Sequence, residues 1–245
     1  MLVRLRIRAY RMREGVLAVI GMARLLRALQ RGGVEELWIG DSHSVLLNTS
    51  RFPFPTLAPV GEGRWVWHLG PRLMFSMARD GLLPYVRRFA RLAGRIERAR
   101  DVSYLFVFGE IDIRCHLAPR LRRGEHLDFV TAYVDRVAAL VRDLGGTRAV
   151  VVVPVPPAVD ALDHSAFPVI GTPEERLAAH DALRRRLVEE AANHSAPRVD
   201  ILDLTPALAG ETGLLRDELT DDGCHTNDAG RAVVREVSRG FLRTG

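Results

Sequence analysis

The chain has no lysine: all 35 of its basic residues are arginine. They alternate with acids, as in Arg95-Ile96-Glu97-Arg98, so the net charge of +5 and the pI near 10.0 reflect a compositional preference, not a basic patch. Phosphate binding requires cations gathered on one surface. The densest runs, Arg122-Arg123 and Arg184-Arg185-Arg186, read as solvated faces, and no nucleic-acid partner is expected. Cysteine is almost missing as well. Cys115 and Cys224 cannot build a disulfide framework, so a reducing compartment is allowed. Long apolar runs are lacking too. The uncharged stretch 15–23 falls well short of the ~20 residues that span a bilayer and is soon followed by Arg24 and Arg27, so no membrane partner is expected. Internal repeats and low-complexity linkers are absent, which excludes solenoids and tethered arrays.

What remains is a composition of 47% hydrophobic and 27% charged residues over 245 positions, enough for one α/β domain with a full core. Residues 1–34 read as an N-terminal helical extension and 35–245 as the α/β body of a single globular unit. The arginines at 4, 6, 8, 11 and 13 ahead of an apolar stretch have some likeness to a secretory signal. The segment as far as Leu29 also has amphipathic helical spacing, and a cytoplasmic location is expected, with secretion as the weaker alternative.

Apolar runs at 36–39, 104–108 and 149–153, and a weaker one at 199–204, have the continuous hydrophobicity of strands buried on both faces. Helical patterns occupy 84–99, 127–144, 173–192 and about 227–241. Trp65 and Trp67, two apart, mark a further strand with an aromatic face. Strands separated by helices of this length imply right-handed crossovers and a three-layer helix-sheet-helix sandwich around a mostly parallel sheet, flavodoxin-like in class. In such a sheet ligands bind at the carboxyl ends of the strands. Ser42, residues 109–114, the proline-rich 154–157 and residues 222–225 all fall there.

Two motifs carry chemistry. Gly40-Asp41-Ser42-His43 places a serine on the turn that ends the first strand, and Asp222-Gly223-Cys224-His225 puts a carboxylate and an imidazole three residues apart. A serine hydroxyl becomes a competent nucleophile when a base takes its proton, and an imidazole held by a carboxylate is such a base. Ser42, His225 and Asp222 are therefore candidates for nucleophile, base and orienter.

The pair of motifs at this separation resembles the SGNH, or GDSL-type, hydrolase superfamily. The likeness runs from about residue 36 to 235. It implies catalysis by Ser42, Asp222 and His225, an oxyanion hole made by the N–H groups of Ser42 and Gly70 (in His68-Leu69-Gly70-Pro71), and no cofactor or metal. The superfamily's third motif, Gly-x-Asn-Asp, appears as Gly109-Glu110-Ile111-Asp112, with isoleucine where the family has an oxyanion-holding asparagine. Loss of one such donor typically costs ~100- to 1000-fold in rate. Arg114 is expected to supply the missing positive group, oriented by Asp112 or Glu110. Gly-Glu-Ile-Asp-x-Arg with Gly-Asp-Ser-His also resembles a branch of the superfamily associated with bacterial glycan and secondary-metabolite gene sets.

The resemblance thus implies an O-acyl ester hydrolase or deacetylase acting on a small acyl ester of a glycan or metabolite through an acyl-Ser42 intermediate. Arg72 and Arg114 favour polar or anionic substrates. O-acyl transfer uses the same triad. A metallophosphoesterase reading builds on Asp41-x-His43, with Asp112, His116, Asp222 and His225 as further ligands, but the Gly-Asn-His and Gly-His-x-His runs it needs are lacking. A degenerate, non-catalytic glycan-binding scaffold is the third alternative. His43 and His68 adjoin motif residues and can line the pocket. His116, His126, His164, His180 and His194 have no assigned role.

Overall fold

The apolar runs become adjacent strands of one six-stranded sheet. In the computed structural model, residues 2–47, 56–61, 63–82, 84–161, 163 and 167–244 are described, with backbone only for 2–16, 45–47 and 56. In chain order the elements are α1 (Leu2–Arg31), β1 (Glu36–Gly40), a 3-10 segment (Ser42–Leu47), β2 (Thr56–Gly61), β3 (Arg64–His68), α2 (Met74–Asp80) and α3 (Pro84–Ala93). A 3-10 segment (Glu97–Asp101), β4 (Ser103–Val107), α4 (Glu110–Asp112), a π turn (Ile113–Leu117), α5 (Ala118–Arg122) and α6 (Phe129–Asp143) follow. The chain continues through β5 (Arg148–Val152), α7 (Pro173–Ala192), β6 (Arg198–Leu202), α8 (Thr205–Leu208), a 3-10 turn (Asp217–Leu219) and α9 (Asp228–Thr244).

The sheet order is β2-β3-β1-β4-β5-β6, parallel except for β2, which runs antiparallel to β3. Period-two alternation sends successive side chains to opposite faces. Leu37, Ile39, Trp65, Trp67, Tyr104, Phe106 and Val151 pack with α1, α2, α3, α6 and α7, through Leu25, Met77, Phe89, Val134 and Leu183 among others. Trp38, Val66, Leu105, Val107, Val150 and Val152 pack on the other side with Leu208, Leu219 and Val234. Each such side chain contributes about 1.5–3 kcal/mol on burial. The two tryptophans of β3 are thus core, Trp67 lying edge-on to Phe89 at 5.3 Å.

Helix α7 occupies 173–192 as its sequence predicts, because a Thr172/Glu175 capping box and Pro173 fix its start. The helix expected over 84–99 stops at Ala93, where Gly94, a poor helix former, gives way to the 3-10 turn. The last turns of α1 contribute to the core: Leu25 and Leu29 are buried, and α1 packs on β2. Among the described residues no helix is long and apolar enough to cross a membrane. At the sheet margins, β2 carries Pro59 and a register shift between Pro59 and Gly61, and β6 carries Arg198 and Asp200.

Candidate active site

Parallel pairing sets the site's position. Gly40 lies opposite His68 of β3 on one side and Val107 of β4 on the other, so the segments after these residues leave the sheet side by side. A Cβ at position 40 would lie 2.1 Å from the Val107 carbonyl oxygen, so only glycine lets β1 run this close to β4. Asp41 then builds the turn. Its N–H donates to the Val107 carbonyl at 3.2 Å, its Oδ1 accepts from the His43 N–H at 2.9 Å, and its own carbonyl accepts from the Ser44 N–H and hydroxyl. Burial raises the Asp41 carboxyl well above its ordinary value, Glu110 and Asp112 adding to the effect, which favours the uncharged acid.

The turn presents Ser42. Its Oγ lies 2.9 Å from Nε2 of His225, and Nδ1 of His225 lies 2.9 Å from Oδ2 of Asp222. With the proton on Nδ1 donated to Asp222, Nε2 is left to accept from the serine hydroxyl. The carboxylate and imidazole are not spaced by a helical turn. Asp222 Oδ1 accepts the N–H groups of Cys224 (2.9 Å) and His225 (2.7 Å), an Asx-type turn, while Thr220 Oγ1 donates to the His225 carbonyl at 2.8 Å. Gly223 sits at φ 67° against the Asp160 carbonyl, where a Cβ would approach to 1.7 Å. Partial burial alone would raise the Asp222 carboxyl, but the His225 ring and the two backbone donors hold it below the usual carboxylate range. The Asp222 and His225 side chains are 36% and 38% exposed, so the dyad is open to solvent.

Behind it lies a second imidazole and carboxylate. The buried His43 ring stacks on His225, centroids 4.9 Å apart and planes 19° from parallel. Its Nε2 is 3.6 Å from Glu110 Oε2 and 3.7 Å from the Cys224 thiol. Burial pulls the His43 imidazole below its ordinary value despite Glu110, so the ring favours its neutral form. Burial would raise Glu110, but His43 and Arg114 more than offset it and bring the carboxyl down to about 2. Burial and the Glu110 charge push the Cys224 thiol far up, which keeps it protonated and unreactive.

The expected substitute for the oxyanion asparagine is placed differently. Arg114 Nε and Nη2 donate to Glu110 at 2.6 and 3.2 Å, and Nη1 donates to the Phe167 carbonyl at 2.7 Å. The π turn that carries it leaves the Arg114 carbonyl to accept the Ile170 N–H. With its guanidinium committed to this brace, a role for Arg114 at the oxyanion finds no support in the geometry. Of the two expected orienters of Arg114, Glu110 holds it and Asp112 does not. Asp112 accepts the N–H groups of Met74 (2.7 Å) and Phe75 (3.1 Å), fixing the start of α2, and burial outweighs these donors to raise its carboxyl to about 6. Ile111 is buried and offers no donor. Gly70, at φ 81°, leaves the sheet beside Ser42, and among the described residues the N–H groups of Ser42 and Gly70 are not taken by another protein acceptor.

The two-metal set is not assembled. His116 is exposed, and Asp112 is spent on α2. Among the described residues the one three-donor group of metal-binding type is His43, Cys224 and His225. His180 is buried against the Pro154 carbonyl, His194 faces Asp135, His126 is exposed, and His164 lies outside the described residues. Sequence reasoning did not anticipate Thr220 or the stacking of His43, though a histidine directly after the serine was the available signal.

No family model and no curated protein matches the chain. Solved structures do. A protein from Streptococcus pneumoniae described as a platelet activating factor is similar over 98% of this chain and 99% of its own, with TM-score 0.54 and 16% identity. A Bacteroides fragilis protein described as an acylhydrolase covers 91% and 97%, with TM-score 0.53 and 14% identity. A GDSL-like lipase from Bacteroides thetaiotaomicron covers 88% and 90%, with TM-score 0.50 and 11% identity. The chain has the fold of the SGNH/GDSL hydrolases.

Proposed function

We propose that this chain is a serine-dependent O-acyl ester hydrolase. The observation that carries the reading is the continuous line from Ser42 Oγ through His225 to Asp222, with both links at 2.9 Å, at the carboxyl edge of the sheet. His225 takes the hydroxyl proton as Oγ attacks the ester carbonyl. The N–H groups of Ser42 and Gly70 meet the oxyanion. Collapse of the tetrahedral adduct expels the alcohol, which takes the proton from His225, and leaves acyl-Ser42. Water, activated by the same imidazole, then releases the acid and restores the serine. Fold kinship with proteins described as an acylhydrolase and a GDSL-like lipase supports the same chemistry.

The substrate we propose is a short acyl ester, such as an acetyl ester, of a polar alcohol such as a glycan or metabolite. The half-exposed dyad favours it, since such a site accommodates a hydrated alcohol without a deep apolar channel. Nitrophenyl esters of increasing chain length and acetylated sugars, assayed on wild type and Ser42→Ala, test both parts. Turnover should be highest for acetyl and should vanish in the variant. Equal turnover in Ser42→Ala, or absence of fluorophosphonate labelling in folded wild type, would overturn the reading.

A further inference from the structure

A buried cation beside the triad turn has no carboxylate partner. Arg176, in the first turn of α7, is 3% exposed, and among the described residues it enters no ion pair. Three carbonyls meet its charge instead. Nη1 donates to Gly171 at 2.8 Å, and Nη2 donates to Ala158 and Val159 at 2.9 and 3.1 Å. Taking an ion out of water is costly, and a well-packed apolar side chain of similar volume often serves stability as well or better. Stability alone does not account for a guanidinium here; the segment it holds does.

Ala158 and Val159 follow the proline-rich exit of β5, and Gly171 directly precedes the Thr172 cap of α7. One side chain thus ties the chain leaving the sheet to the chain returning to the helix. Arg114 adds a second tie, with Nη1 on the Phe167 carbonyl and its own carbonyl on the Ile170 N–H. Just past the first tie the backbone meets the triad turn. A Cβ at Gly223 would fall 1.7 Å from the Asp160 carbonyl oxygen and 3.1 Å from the Ala161 Cα, so the tip of Asp222-Gly223-Cys224-His225 rests on residues 160–161. Ala158, Ala161, Arg176, Gly223 and Cys224 line one small cavity.

We propose that Arg176 is a positioning residue that sets the distance between His225 and Ser42, acting through the 158–161 main chain. The turn keeps its own shape, since Asp222 Oδ1 accepts the Cys224 and His225 N–H groups and Thr220 pairs with Thr226 across its base. What the clamp fixes is where the turn stands. With residues 160–161 held against Gly223, Nε2 of His225 stays 2.9 Å from the Ser42 hydroxyl. Released, the turn recedes as a unit, so the link to Asp222 survives while the link to Ser42 lengthens. A displacement of about 1 Å at a reacting group costs about 100-fold in rate.

The catalytic consequence rests on the proposed esterase reading, the positioning does not, and two readouts separate them. In full-length Arg176→Met, checked for folding by circular dichroism, fluorophosphonate labelling of Ser42 and kcat for nitrophenyl acetate should fall by up to about 100-fold, with KM nearly unchanged. Nitrogen-15 spectra of histidine-labelled protein read the geometry without turnover. The His225 Nε2 shift of Arg176→Met should move towards that of Ser42→Ala, while the Nδ1–H signal, identified by its loss in Asp222→Asn, persists; a general loosening of the fold would lose both. Where Arg176→Met does not fold, Arg176→Lys, which keeps the charge and one donor group, carries the same readouts with a smaller loss. Wild type that never labels removes the esterase and leaves the nitrogen shifts to decide the clamp. An unchanged Nε2 shift in the folded variant, loss of the Nδ1–H signal along with it, or labelling undiminished from that of an active wild type overturns the proposal.

Discussion

Two imidazole–carboxylate pairs stand back to back, and they differ in what surrounds them. His225 and Asp222 are more than a third exposed, joined at 2.9 Å, and reach Ser42. His43 is buried and Glu110 largely so; they are separated by 3.6 Å and reach Arg114 and the Cys224 thiol. In the open pair the carboxylate is held by N–H groups of its own turn and is free to stabilise an imidazolium that forms during reaction. In the closed pair the carboxylate is already neutralised by a guanidinium, and desolvation disfavours a second cation on the ring. Under the proposed mechanism, identical functional groups thus serve proton transfer in one place and positioning in the other, set apart by solvent and by one arginine.

The largest test of that contrast replaces each ring. His225→Gln should reduce kcat/KM for a short nitrophenyl ester by about 10⁴-fold or more, as removal of a triad member does. His43→Gln should cost about 10-fold at most, because the loss is of a packing surface for His225. Equal losses would erase the distinction. Next, Asp222→Asn should lower kcat by up to about 10⁴-fold through the wrong imidazole tautomer, with KM nearly unchanged. Glu110→Gln should act chiefly on stability. It removes the charged partner of Arg114 Nε and Nη2, so urea unfolding should register a loss of about 3–5 kcal/mol.

The smallest effect concerns acidity. Asp112, raised from 3.8 to about 6, keeps its proton in the folded protein over a range where the unfolded chain has released it. The fold therefore binds the extra proton, and the stability linked to it is complete below about pH 4 and declines as pH rises to about 6, by up to about 3 kcal/mol. Glu110, lowered to about 2, acts oppositely, with stability lost as pH falls through its folded value. Thermal melts from pH 4 to 7 should show a downward slope that Asp112→Asn flattens; an unchanged slope would place the titration elsewhere.

Much of this was readable in the sequence, for a specific reason. Three of the five parallel strands, β1, β4 and β5, are continuous apolar runs, and the capping box of α7 marks its first turn. Strand β2 was not foreseen, because Thr-Leu-Ala-Pro-Val-Gly holds a proline and lacks alternation, and only pairing with β3 makes it a strand. The serine, histidine and aspartate were found because their motifs are local. The pairing of Arg114 with Glu110 was among the expectations, whereas its bond to the Phe167 carbonyl, 53 residues away in the chain, has no sequence mark. Contacts that are distant in the chain and made to backbone carbonyls leave no residue-type signature.

The margins of the sheet have a consequence for behaviour at high concentration. One outer strand has an imino acid and an irregular ladder beneath the first helix; the opposite one displays an arginine and an aspartate. Neither offers a flat, unbroken row of free amides for another molecule to extend. Loss of solubility on heating should therefore follow global unfolding rather than stacking of native copies, so turbidity should rise only after the loss of near-ultraviolet dichroism.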